Sequence, residues 1–82
     1  MPKVLIADSN CRAMTGGLAE LDVDAASVRA LIAAIDARFP GAGEYIDRRM
    51  AVAVDGEIYQ DPGPLALTPS SEVCLIPRIG GG

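Results

Sequence analysis

A chain of 82 residues, half of them hydrophobic, has room for one small domain whose core is built without disulfides. Its formal net charge of −4, from seven basic and eleven acidic residues with no basic run, argues against a nucleic-acid role and leaves an acidic surface to be steered toward a basic partner. Histidine is absent and the two cysteines, Cys11 and Cys74, stand at no metal-ligand spacing, so the commonest general base and zinc ligand are both missing.

The first apolar run is too short for a signal peptide or a membrane span, which makes a reducing cytoplasm the expected location. Val4 to Ala7 reads as a strand buried on both faces. Asp8 to Gly17 is polar, ends in Gly16-Gly17, and reads as a loop. Leu18 to Val23 alternates as a half-exposed edge strand does. Val28, Leu31, Ile32, Ile35 and Phe39 then line one face of a helix. Ser27 or Asp24 caps its start, Arg38 suits the negative end of its dipole, and Pro40-Gly41 stops it.

Ala42 to Met50 reads as a polar connection with room for one short helical turn. Ala51 to Val54 and Glu57-Ile58-Tyr59 are strands joined by the turn pair Asp55-Gly56. Asp61-Pro62-Gly63-Pro64 is a loop, Leu65 to Leu67 a brief strand or turn, and Thr68-Pro69-Ser70-Ser71 a further break. Val73 to Ile76 is the last apolar strand, closed by Pro77. One helical stripe and several strands make an α+β fold, a mixed sheet of four or five strands packed on one main helix. The two doubly apolar runs belong in its middle and, as neighbours, run parallel.

Residues 1–77 thus form the domain, and 78–82 are expected to be a flexible tail, because three glycines lose too much entropy to hold regular structure. From Pro77 the tail spans at most about 17 Å, at ~3.3–3.6 Å per residue. That shape suits threading a narrow channel in another protein, with the terminal carboxylate as the group delivered. The remaining polar features read as structure. Cys74 is expected to be buried and inert, and Cys11 exposed but unactivated. Glu20, Asp22 and Asp24 make a solvated edge rather than a metal site. Gly16-Gly17 lacks what a phosphate loop needs, a following Lys-Ser/Thr and a helix.

With Pro77, Ile79, Gly81 and Gly82 as a Pro-x-Ile-x-Gly-Gly ending, the chain resembles the MoaD/ThiS family of ubiquitin-like sulfur carriers. Ala37-Arg38-Phe39-Pro40-Gly41 and Ala51-Val52-Ala53-Val54-Asp55-Gly56-Glu57 add to the resemblance. It implies a β-grasp fold and a carrier that binds no cofactor and catalyses nothing itself. An E1-like adenylyltransferase would activate Gly82 with ATP and Mg, and a persulfide donor would convert it to a thiocarboxylate. A synthase of molybdopterin, thiamine or cysteine type would accept the sulfur. Gly80 and Gly81 would thread the enzyme's channel, and Arg78 and Ile79 would dock on the partner. Arg78 stands where molybdopterin-synthase small subunits often have a second proline, and Ser70-Ser71 replaces the usual Gly-Asp. The same activation step serves an alternative, a ubiquitin-like modifier joined to target lysines through Gly82.

Overall fold

The chain order is β1 (Lys3–Ile6), α1 (Ser9–Met14), β2 (Glu20–Asp22), α2 (Val28–Arg38), α3 (Ala42–Arg49), β3 (Met50–Val54), β4 (Glu57–Tyr59) and β5 (Glu72–Pro77). These elements come from a computed structural model that describes residues 1–59 and 62–78. Among them the strands form one five-stranded sheet in the order β2-β1-β5-β3-β4. The β1 and β5 strands are neighbours and parallel, with Val4 opposite Val73 and Ile6 opposite Leu75. Every other pairing is antiparallel. The expected central pair and its direction are therefore found, and so are the helix and the hairpin.

The α2 helix shows why that stretch folds as it does. Val28 and Leu31 are fully buried and Ile35 nearly so, packing with Val4, Ile6, Val52, Val73 and Leu75 from the sheet. Ser27 caps the start by accepting the Ala30 amide at 3.2 Å. The loop before β5 takes two more orphan donors, since Val28 donates to the Leu65 carbonyl and Arg29 to that of Gly63, each at 3.0 Å. All the first-turn amides thus have partners, as a helix start at a packed loop requires. Leu65 to Leu67 supplies this seam with an isolated bridge from Ala66 to Ser27 rather than with a strand.

The β3–β4 turn uses the left-handed region twice, at Asp55 (φ 50) and Gly56 (φ 88), which matches the twist of a tight hairpin. Asp55 also ties the turn to the start of β5. Its amide donates to the Glu72 carbonyl at 2.9 Å and its Oδ1 accepts the Glu72 amide at 2.9 Å.

Three expectations need correction. Asp8 to Gly17 is not a loop: it holds α1, capped by the Asp8 carboxylate, which accepts the Cys11 amide at 2.9 Å. The same carboxylate accepts the Tyr45 hydroxyl at 3.1 Å, which joins α1 to α3. The Ala42 to Met50 connection is likewise more than one turn. It is the eight-residue α3, docked on α2 because Asp36 Oδ1 accepts the amides of Gly41 and Gly43 at 3.1 and 3.0 Å. Finally, among the described residues the central strands are covered by helices on one face only. Val4, Ile6, Val73 and Leu75 face the helices, while Leu5, Cys74 and Ile76 on the other side are half-buried.

Candidate functional site

At its C-terminal end β5 brings the chain to Pro77, in register with Met50 at the start of β3. Arg78 follows beside the end of α3. Its amide donates to the Arg49 carbonyl at 3.1 Å, and its Nη2 donates to the carbonyls of Asp47 and Met50 at 3.1 and 3.3 Å. Carbonyls at a helix end lack intrahelical partners and carry the negative end of the dipole, so a cation there is favoured. Arg78, the last described residue of the chain, is therefore held against the end of α3. The resemblance gave Arg78 a docking role; the structure shows its side chain bonded to carbonyls at the end of α3. Ile79, Gly80, Gly81 and Gly82, expected to dock, thread and be activated, lie outside the described residues.

The uncovered face of the sheet spreads beside this root. Its central row runs Glu20, Leu5, Cys74, Ala53, Ile58 across all five strands, by the pairings of each with the next. A second row toward the tail pairs Ile76 with Ala51. Ile58 is 62% exposed, and Leu5, Ala51, Cys74 and Ile76 are half-buried. Aliphatic side chains in adjacent register on a face without helices form a contiguous apolar surface, the kind that marks contact with another protein. This surface escaped the pattern reading, although a signal for it existed. Runs apolar at every position fit a sheet covered twice, whereas among the described residues the helices pack on one side.

Acids cluster at one end of the sheet around Lys3, while the tail end is mixed, with Arg48 paired to Glu44 at 3.3 Å. Lys3 lies opposite both Asp22 and Glu72, and Glu57 and Asp55 sit at the same end through Val54 and Glu72. Arg48, Arg49 and Arg78 gather at the tail end, where the Arg78 amide meets the Arg49 carbonyl. Glu20, read as part of a solvated edge, holds Lys3 Nζ at 2.9 Å.

The cysteines exchange the places expected of them. Cys11 is fully buried in α1, because its helix turns it inward. Burial first, and the nearby Asp8 charge second, push its thiol pKa up, so it stays protonated. Cys74 is the half-buried one, in the middle of the open face, because its strand neighbours Val73 and Leu75 take the covered side.

Comparison with known proteins agrees with this geometry. A family model described as the ThiS family matches residues 10–82. Mycobacterium tuberculosis CysO, described as an antigen, superposes with a TM-score of 0.84 at 18% identity, covering 96% of this chain and 100% of that one. A chain of the Amycolatopsis orientalis BexX/CysO complex gives 0.84 at 19% identity, covering 100% of both. Small archaeal modifier protein 1 from Methanosarcina acetivorans gives 0.79 at 18% identity, covering 99% of this chain and 95% of that one. At such identities the likeness is one of fold, the ubiquitin-like β-grasp. A search of the curated proteins finds no match.

Proposed function

The chain belongs to the ThiS family, and from that premise we propose that it is a sulfur carrier whose Gly82 carboxylate is the group that reacts. The observation that carries this reading is the anchored root. The parallel β1–β5 pair and the Arg78 bonds to the end of α3 hold the chain at Arg78, and the family match runs from there to Gly82. A carboxylate is a poor electrophile. Adenylation by an E1-like enzyme using ATP and Mg gives it a good leaving group. A persulfide sulfur then attacks the acyl carbon as AMP leaves, and a thiol reduces the resulting acyl disulfide to the thiocarboxylate.

The domain supplies the reactive end and the surface that presents it, and partner enzymes supply the catalysis. In this reading the open face around Leu5, Cys74 and Ile58 lies against the activating enzyme, with Arg78 and Ile79 at the mouth of the channel. The Amycolatopsis orientalis structure, being of a BexX/CysO complex, supports a carrier that works on partners. A sulfur-accepting synthase completes the cycle, in a molybdopterin-, thiamine- or cysteine-type pathway.

The test is the intact mass after incubation with an activating enzyme, Mg-ATP and a persulfide donor. Exchange of one oxygen for sulfur at Gly82 is expected in the full chain, and none in a version lacking Gly81 and Gly82. A full chain that takes up no sulfur counts against the proposal. Isopeptide remnants of the tail on lysines of other proteins, without any thiocarboxylate, would move the assignment to the modifier alternative.

A further inference from the structure

An activated acyl end is a hazard to the protein that carries it, because any nearby amine can capture it. The deprotonated ε-amine of a lysine attacks the acyl carbon, and a C–N bond forms. The C–O bond to adenylate or the C–S bond to a thiol breaks, the leaving group departs with the electron pair, and the amine's proton passes to water. Arginine cannot do this, since its guanidinium stays protonated and has no free pair to offer. Besides the α-amine of Met1, two residues before Lys3, the chain has one lysine against six arginines, and that lysine stands at the end of the sheet away from Arg78.

The cations at the root, Arg48, Arg49 and Arg78, are all arginines, and Arg49 is exposed beside the point where the chain leaves. The one lysine, Lys3, is in register with Glu72, at the opposite end of β5 from Pro77. At ~3.3 Å per residue that is about 16 Å along the strand. The residues from Arg78 to Gly82 span about 17 Å only when fully extended. To reach Lys3 the tail must double back along the sheet at full stretch, a small fraction of its conformations. Parallel pairing of β1 with β5 enforces this separation, because it sets the start of β1 and the end of β5 at opposite ends. Lys3 is also engaged: its Nζ lies 2.9 Å from Glu20 Oε1, and the bond to Glu20 raises its pKa.

We propose that the body of the domain is kept free of lysine within reach of its tail, so that activated Gly82 meets no amine beside it on its own chain and amide formation waits for an external nucleophile. Arginine at the root retains the positive charge that meets the end of α3 and a partner, while removing the nucleophilicity that lysine would bring. The device works against internal cyclisation above all. Between copies, the Lys3–Glu20 pair and the acids Asp22 and Glu72 beside it disfavour capture as well.

This inference rests on the reading of Gly82 as the reactive end, but its test needs no partner enzyme. The full chain is prepared with Gly82 as a chemically installed alkyl thioester, together with Arg49→Lys, Arg48→Lys and Lys3→Arg versions. Each is held at mildly alkaline pH and followed by intact mass and peptide mapping. The native sequence and Lys3→Arg are expected to hydrolyse to the free acid alike. Arg49→Lys is expected to lose its thiol without gaining water, forming an amide between Lys and Gly82. Its rate should exceed any amide formation between copies of the native chain about a hundredfold, since a short tether gives an effective concentration of about 1 mM against protein held at about 10 μM. Arg48→Lys, exposed and one residue away, guards against a folding defect peculiar to position 49. Amide formation on native Lys3 as fast as in Arg49→Lys overturns the proposal, as does the absence of amide in both lysine variants. Failure of sulfur loading by an enzyme would leave this result standing, and the reverse holds too.

Discussion

The two faces of the sheet are built from alternate residues of the same strands, yet they do different work. On the covered face Val4, Ile6, Leu21, Val52, Val73 and Leu75 are 5% exposed or less and meet α2 and α3. On the open face Leu5, Ala51, Cys74 and Ile76 are half-buried by their neighbours alone. The first set is worth roughly 1.5–3 kcal/mol per side chain in removal from water. The second set gains less from folding than the first and leaves part of its apolar area at the surface, where the proposed function gives it a partner to meet. Under the proposed function, a surface of this kind beside the bonded Arg78 is what a carrier offers to an enzyme that must hold the body and reach the end at once.

The comparison breaks most visibly at its covered side. Leu31 is fully buried between α2 and the sheet, and Leu31→Ala should cost about 2–5 kcal/mol, the transfer term plus the cavity it leaves. In a domain of this size each kcal/mol lowers the melting temperature by roughly 4–8 °C, so thermal unfolding followed by circular dichroism reads the effect directly. A loss under about 1 kcal/mol would mean that the site collapses around the smaller side chain, and the covered face would then be less decisive than its burial suggests.

A smaller loss is expected where α3 meets α2. A Cβ on Gly43 would stand 2.6 Å from the Cβ of Asp36, a contact that no rotamer change relieves because both atoms are fixed to backbone. Gly43→Ala should therefore push the helices apart and cost about 1–3 kcal/mol, the usual range for overpacking. It should also weaken the two bonds by which Asp36 holds the α3 start. Denaturant unfolding at constant m-value checks the first part. Loss of amide-exchange protection at Gly43 checks the second.

How much of this was legible depended on whether a segment's signal was local. The α2 helix announces itself through Val28, Leu31 and Ile35 at helical spacing, and the central pair through two continuous apolar runs. By contrast, α1 buries one apolar side chain, Cys11, and its Asp8-Ser9-Asn10 start serves equally as a turn or as a helix cap. The α3 helix buries Ala42, Gly43 and Ile46, two of them too small to mark a stripe. Its place is set by Asp36, a residue of another helix. The tail root was half legible. The Pro77 stop and the glycines are local, whereas the Arg78 anchor exists only because β5 ends beside the α3 carbonyls. The open face was read as apolar but not as uncovered, since periodicity reports which side chains are alike and not what lies above them.

The last test asks whether the open face is a docking surface or surplus apolar area. Ile58 is the exposed end of its central row, opposite Ala53. An exposed position at an edge strand carries little stability, so Ile58→Asp should shift unfolding by no more than about 0.5 kcal/mol. The same change places a charge in what should become a desolvated contact, where an unpaired carboxylate is costly. Sulfur loading by the activating enzyme should then fall at least about tenfold, since 1.4 kcal/mol is enough for that. The loss should appear in the carrier concentration needed for half-maximal rate rather than in the maximal rate, because Gly82 and its anchored root are untouched. Unchanged loading with an unchanged melting temperature would separate the tail from the face and leave Arg78 and the residues after it as the whole of the recognition.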